Sequence, residues 1–294
     1  MGKQFRPYEW VVVAYFSYTS LLALLLPIRP DIARTTILVN LAVLAGQFLL
    51  VWADGLRRRP FFDVLRDWYC FPLMLLAYRE MGWFARPHTD FALERSWVVF
   101  DRILLNDLGL RTLIESFGPV FPAILEIAYT LVYGIASFSV AMLYVFNRRK
   151  GVQEFLFVFL TGIFAAYALF PFFPSEPPRT VFPGEDFPRI ETIFRNFNWV
   201  LLGGYGIHTS VFPSAHVSGS FSAAFAMWRL LRRPQWVRIV LLILAILIAI
   251  ATVYGRYHYA VDAAAGLAVA AAASRFGRMI QPASRRPATA GTTA

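Results

Sequence analysis

Long apolar segments separated by short charged connections set the pattern of this chain. Segments 10–26, 35–52, 119–146, 155–173, 213–231, 236–254 and 258–276 each approach or exceed the roughly 20 apolar residues that a helix needs to cross a bilayer. An eighth segment, 62–78, carries Asp63, Arg66 and Asp67 at its start and is almost wholly apolar only from Trp68 onward. The pattern predicts an all-α fold, a polytopic membrane helical bundle of about eight transmembrane helices. The three charges at the head of segment 62–78 are spaced for a local salt-bridge cluster near the membrane boundary.

The connections assign the sides. Lys3 and Arg6, Arg57 to Arg59, Arg148 to Lys150, the group Arg229, Arg232, Arg233 and Arg238, and the group Arg275, Arg278, Arg285 and Arg286 share one side only if segment 62–78 crosses. The alternating connections are not basic: residues 80–115 hold six acids and four arginines, and residues 175–195 hold four acids and three arginines. By the positive-inside rule both termini are expected in the cytoplasm, with the loops after the third, fifth and seventh spans facing out. In the first of these loops Leu93, Trp97, Phe100, Leu104 and Leu108 share one face, which predicts an interfacial helix anchoring the loop on the outer surface.

Composition narrows the function classes. Of 294 residues 58% are hydrophobic and 16% charged, with a mean hydropathy of +0.54, against about half and about a quarter in soluble domains. A soluble globule and a disordered chain are both excluded. A net charge of +10 would point to polyanions in a soluble protein. Here it is taken up by clusters at one membrane surface, so membrane lipids are the expected partners and nucleic acid is not. The single cysteine, Cys70, excludes an internal disulfide and any CxxC motif, and its apolar neighbours predict an inert buried thiol. No small-residue cleavage site precedes Pro27, so the first segment reads as an uncleaved span rather than a signal peptide. Arg6 stands where a myristoylation motif needs Ser or Thr. Residues 281–294, rich in Ala, Thr, Pro and Arg, read as a disordered cytoplasmic tail, and a bacterial cytoplasmic membrane is the expected location. There is no internal repeat of solenoid period.

Three of the four histidines, His208, His216 and His258, fall in or beside the outward ends of the last three spans. In Phe212-Pro213-Ser214-Ala215-His216, Pro213 suits a first helical turn, where free N–H groups and the Ser214 hydroxyl form an anion site with His216 at its edge. His258 and Asp262, spaced i, i+4, share a helix face, and a carboxylate there fixes the imidazole tautomer and raises the basicity of its other nitrogen. An ionisable group inside an apolar span is a functional candidate by default. A purely structural His–Asp pair is the competing reading, and the second motif and the arginines at the same end weigh against it. In Pro177-Pro178-Arg179 the prolines stiffen the backbone ahead of a guanidinium suited to phosphate. His208, beside Gly203, Gly204 and Gly206, reads as structural or solvent-exposed, and His88 has no partner motif. Glu126, with Tyr129 and Tyr133 on its face, is read equally as a headgroup contact or as the partner of a tyrosine hydroxyl.

These motifs resemble the type-2 phosphatidic acid phosphatase superfamily, which shares its helical fold with vanadium haloperoxidases. Pro213-Ser214-Ala215-His216 is similar to that superfamily's Pro-Ser-Gly-His motif with Ala215 in place of Gly, and His258 with Asp262 matches its third motif. Thr252 stands six residues before His258, where the phosphatases carry Arg, with Arg256 nearby, and the first motif reads Pro177-Pro178-Arg179. Those departures look closest to the inositol phosphorylceramide synthase-like (inositolphosphotransferase) branch. The resemblance covers about residues 155–266 and implies three regions: N-terminal transmembrane and interfacial helices (1–116), a catalytic core (117–280) and the tail (281–294).

What the resemblance implies is two-step phosphoryl transfer on a lipid phosphate through a phosphohistidine. His258 would be the nucleophile, Asp262 its orienting partner and His216 the acid and base. Arg179, Arg256 and Ser214 would bind phosphate oxygens, with no cofactor and no metal. A hydrolase and a transferase of inositol phosphate or another phospho-headgroup share the first half-reaction. A lipid-headgroup transporter or binding protein is the reading from another class. The His258–Asp262 pairing and the absence of broken spans in repeated positions weigh against it.

Overall fold

The computed structural model describes residues 4–57, 60–84, 90–207 and 211–280. The readings placed on His88, His208 and the tail 281–294 lie outside these residues. Among the described residues every regular element is helical. Helix α1 (Pro7–Leu25) opens on a proline at its first position while the Glu9 carboxylate accepts the Arg6 N–H at 2.6 Å, which satisfies a donor the helix itself leaves free. Helix α2 (Pro30–Arg57) also opens on proline. There follow α3 (Pro60–Trp68), α4 (Cys70–Phe84), α5 (Ala92–Arg102) and α6 (Leu110–Glu115). Helix α7 (Val120–Leu131) runs through a tight turn at 132–134 into α8 (Ile135–Val145). The remaining helices are α9 (Val152–Leu169), α10 (Pro178–Val181), α11 (Ile193–Tyr205), α12 (Ala215–Leu230), α13 (Gln235–Tyr254) and α14 (Ala260–Ile280).

Among the described residues six stretches are long and apolar enough to cross a membrane: Pro7–Leu25, Pro30–Leu56, Val120–Val145, Arg149–Phe172, Gln235–Tyr254 and Ala260–Ile280. The other two of the eight expected spans are helices of a different build. Segment 62–78 breaks at Tyr69 into α3, which carries the charges, and α4. Helix α12 has only 16 residues, about 24 Å at 1.5 Å per residue, short of a hydrocarbon core of about 30 Å. Its start is set by Ser214, whose hydroxyl accepts the Val217 N–H as the N-cap. Pro213 therefore precedes the cap instead of sitting in the first turn.

The charges of α3 do not pair among themselves. Arg66 bonds Glu9 of α1 and Asp54 of α2, while Asp63 and Asp67 both take Arg6. The cluster ties three helices together rather than stabilising one. Cys70 is fully buried beside it.

Helix α9 is the axis of the bundle, packed by α1, α4, α12 and α14. Two thirds of its membrane window (67%) is buried, against 22% for the peripheral α2, which leaves the face of α2 for lipid. Around α9 the helices meet through small residues, as transmembrane packing favours. The Ser218 hydroxyl donates to the Gly162 carbonyl at 2.8 Å. On α14, a Cβ at Gly266 would stand 2.5 Å from the Ser214 carbonyl oxygen. The Ser/Gly/Ala-rich helices α12 and α14 therefore approach closely, and Gly266 sets their distance. Gly266→Ala is expected to lower stability by about 1–3 kcal/mol through overpacking, outweighing the better helix propensity of alanine. The measurement is the unfolding midpoint in detergent, and an unchanged or raised midpoint contradicts it.

Candidate active site

The turn between α13 and α14 carries His258. The Thr252 carbonyl accepts N–H groups from both Tyr257 and His258 at 2.9 Å, and Arg256 adopts a left-handed backbone with φ +63°. Because α14 starts at Ala260, His258 lies outside the helix, and the pairing with Asp262 is not the side-by-side arrangement that the spacing predicts. Asp262 instead reaches back from the first turn. Its Oδ2 accepts the Tyr259 N–H at 2.9 Å and lies 3.3 Å from His258 Nδ1. One fully buried carboxylate oxygen thus both caps the helix and holds the imidazole. With Nδ1 so engaged, the ring lone pair is left on Nε2.

His258 Nε2 faces His216 Nδ1 at 3.5 Å. The two motifs are locked together by the backbone as well, since the Ser214 N–H donates to the Asp262 carbonyl at 3.0 Å. His216 occupies the second position of α12 and stacks on Tyr129 with ring centroids 4.9 Å apart. Tyr129 in turn stacks on Tyr257 at 4.0 Å. The Tyr257 hydroxyl donates to Glu126 Oε2 at 2.6 Å, beside Asn198 at 2.8 Å, while Arg195 reaches Glu126 Oε1 at 3.1 Å. Glu126 therefore partners a tyrosine hydroxyl, that of Tyr257 rather than of Tyr129 or Tyr133 beside it in sequence. Through the stacked rings this buried carboxylate fixes the plane of His216.

Arg179 stands near the start of α10, after Pro177 and Pro178. Its backbone N–H bonds the Arg256 carbonyl at 3.3 Å and its guanidinium the Tyr257 carbonyl at 3.4 Å. With His216 and His258 it lines a cavity of about 100 Å³. The other walls are apolar and aromatic, among them Tyr78, Tyr133, Tyr167 and Leu75. Leu75 is 57% and Tyr133 49% exposed on the outer surface, so this wall is the one a lipid would meet.

Arg256 and Ser214 are placed differently from Arg179. Arg256 is fully buried and bonds Asp101 Oδ2 at 2.5 Å, with its Nε and its second terminal nitrogen unpartnered. It does not line the cavity. Asp101 Oδ1 accepts the Ala260 N–H at 2.8 Å, so this carboxylate braces both ends of the His258 turn. Burial pushes the Asp101 carboxyl up to about 6, against the downward pull of Arg256 and the Ala260 N–H. Ser214 is likewise buried, with its hydroxyl oxygen taken by the cap.

Helix α5 supplies Asp101, and it sits over the site. Of the expected apolar face, Leu93 and Phe100 are exposed, as is Leu108 beyond the end of α5, whereas Trp97 and Leu104 are half-buried. The opposite face buries Glu94, Val98 and Asp101. Trp97 stacks on Phe212 at 5.3 Å, and Glu94 accepts the Glu176 N–H at 3.0 Å. Apolar periodicity carries no signal for Asp101, Arg195 or Tyr257. An acid within an apolar span, Glu126, is the one sequence pointer to this network.

Among curated proteins and among solved structures none matches the chain. A sequence model of the PAP2 superfamily matches residues 107–276, more than half of the 294 residues. The match takes in Arg179, Ser214, His216, Arg256, His258 and Asp262. With an all-helical structure, six helices fit to cross a membrane and this match, the chain is an integral membrane protein that belongs to the PAP2 superfamily.

Proposed function

We propose that this protein is a membrane phosphatase or phosphotransferase that acts on a lipid phosphate or phospho-headgroup through a phosphohistidine on His258. The observation that carries the reading is the line Asp262–His258–His216 beside Arg179 in one cavity. Asp262 holds Nδ1, so the Nε2 lone pair attacks phosphorus while the ester P–O bond breaks. His216, displaced from its direct contact with His258, gives its proton to the leaving oxygen. It then takes a proton from water or an acceptor alcohol, whose oxygen attacks phosphorus as the P–N bond breaks. Arg179 and the N–H groups at the start of α12 meet the charge on the phosphoryl oxygens. Arg256 acts on the reaction by holding the His258 turn, and Ser214 by fixing the helix start behind His216.

On the same reading the histidine end faces outward and both termini are cytoplasmic. His216 and Arg229 are 13 residues apart on α12, about 20 Å, and the basic end belongs on the inner side by the positive-inside rule. The catalytic cavity is small, so the chain of a lipid would lie against the Leu75 and Tyr133 wall.

The decisive experiment offers a panel of lipid phosphates to the protein in vesicles and identifies the products, with and without inositol. Free phosphate alone marks a phosphatase, and a new phosphodiester marks the transferase, the inositolphosphotransferase reading included. An acid-labile phosphoprotein is expected in both cases. Binding of phosphorylated lipids without turnover of any of them would return the protein to the transporter or binding class.

A further inference from the structure

At the end of the bundle opposite the histidines lies a cleft of about 1470 Å³. Arg6, the 147–151 turn and the last turns of α12 and α14 wall it. Three of its cations are neutralised in place: Arg6 by Asp63 and Asp67, Arg149 by Asp67, and Arg229 by Glu154. Among the described residues no carboxylate pairs with Arg148, Arg232, Arg238 or Arg278, which line the same cleft. Arg238 lies over the Trp228 ring at 4.7 Å. The positive-inside rule asks only that basic residues lie on one side. It does not ask that four arginines without counter-ions converge on one concave surface, where their mutual repulsion is relieved by an anion.

The cleft adjoins an apolar groove of about 460 Å³ between α1, α9 and α14. Neighbouring residues of the same elements line the two. Arg6 lines the cleft and Pro7 the groove; Glu154 lines the cleft and Phe157, one turn further along α9, the groove; Arg278 lines the cleft and Ile280 the groove. Trp10 and Phe276 line the apolar part. A cationic pocket set beside an aromatic-edged apolar groove has the polarity order of a phospholipid, headgroup then chain.

We propose that this end of the protein is a binding site for an anionic glycerophospholipid, with its phosphate among Arg148, Arg232, Arg238 and Arg278 and one acyl chain along the Trp10–Phe276 groove. The site is separate from the His258 cavity and does not depend on the reaction proposed there. It gives the lipid leaflet at the basic end a specific contact with α1, α9 and α14, the helices around the core axis.

The test places the full chain in nanodiscs of mixed phosphatidylglycerol and phosphatidylcholine and counts the lipids that stay bound by native mass spectrometry. Phosphatidylglycerol is expected to be retained in preference. The triple variant R148Q/R232Q/R278Q is expected to lose about fivefold in that preference for each arginine removed. The double variant R233Q/R275Q, at the same end but outside the cleft, is expected to keep it. Phosphatidylglycerol brominated in its acyl chain is expected to quench Trp10, read as the difference from the W10F variant, which reports the groove even where a cleft variant folds poorly. H258A is expected to retain the same lipid, so this site and the reaction can fail separately. Equal retention of the two lipids, equal effects of the cleft and control variants, or a cleft filled by inorganic phosphate with no lipid retained would overturn the proposal.

Discussion

Alanine at position 258 is expected to abolish phosphoryl transfer, and asparagine at 262 to leave only a remnant of it. Removal of the nucleophile eliminates the covalent route itself, a loss on the order of 10⁴-fold or more in kcat. Asp262→Asn keeps the shape of the side chain, and its Oδ1 can still accept the Tyr259 N–H that Asp262 holds at 2.9 Å. It takes away the charge that fixes Nδ1 of His258 as the donor and stabilises the imidazole once it is phosphorylated, for which a loss of roughly 10⁴-fold is the precedent. Asp262→Ala loses the cap as well, about 1 kcal/mol of helix stability, so its unfolding midpoint falls where that of Asp262→Asn holds. Comparing the two separates the catalytic loss from the structural one. Turnover of lipid phosphate and the acid-labile phosphoprotein are both measured. Unchanged turnover in either His258→Ala or Asp262→Asn would sink the assignment, and a structural His–Asp pair would then be the right reading.

How far this site could be read in advance depends on where each interaction is encoded. The apolar segments foretold the bundle because burial in lipid is a property of composition over about 20 residues. At 62–78 and 213–231 the build of the helices turns instead on single residues: a break at Tyr69 and a cap at Ser214. The contact of His258 with Asp262 was legible as spacing, yet its geometry was not, because the helix begins two residues after the histidine. Arg179 and Arg256 looked alike as arginines near the motifs. What separates them is Asp101, 155 positions away from Arg256, whose approach no local pattern announces. Glu126 was visible as a misplaced charge, whereas its partners Arg195, Asn198 and Tyr257 come from two other elements. Long-range polar pairing, unlike apolar periodicity, leaves no period in the sequence.

The same pair gives the largest expected effect on stability. Arg256 and Asp101 are both fully buried, and Asp101→Ala leaves a buried guanidinium with no carboxylate and the Ala260 N–H with no acceptor. A broken buried pair of this kind costs about 3–5 kcal/mol, to be read as a fall in the unfolding midpoint in detergent. Asp101→Asn, which can still accept the Ala260 N–H, is expected to fall less, and a loss below 1 kcal/mol in Asp101→Ala would show the pair to be idle. Replacing both partners by apolar residues, Asp101→Leu with Arg256→Met, removes the unpaired charge and is expected to recover most of the stability. That double variant also decides what Arg256 does in turnover. If Arg256 only holds the His258 turn in place, restored stability brings back kcat in proportion. If its unpartnered guanidinium nitrogens swing to phosphate during the reaction, the double variant is stable and still slow, with Arg179 left to meet the phosphate.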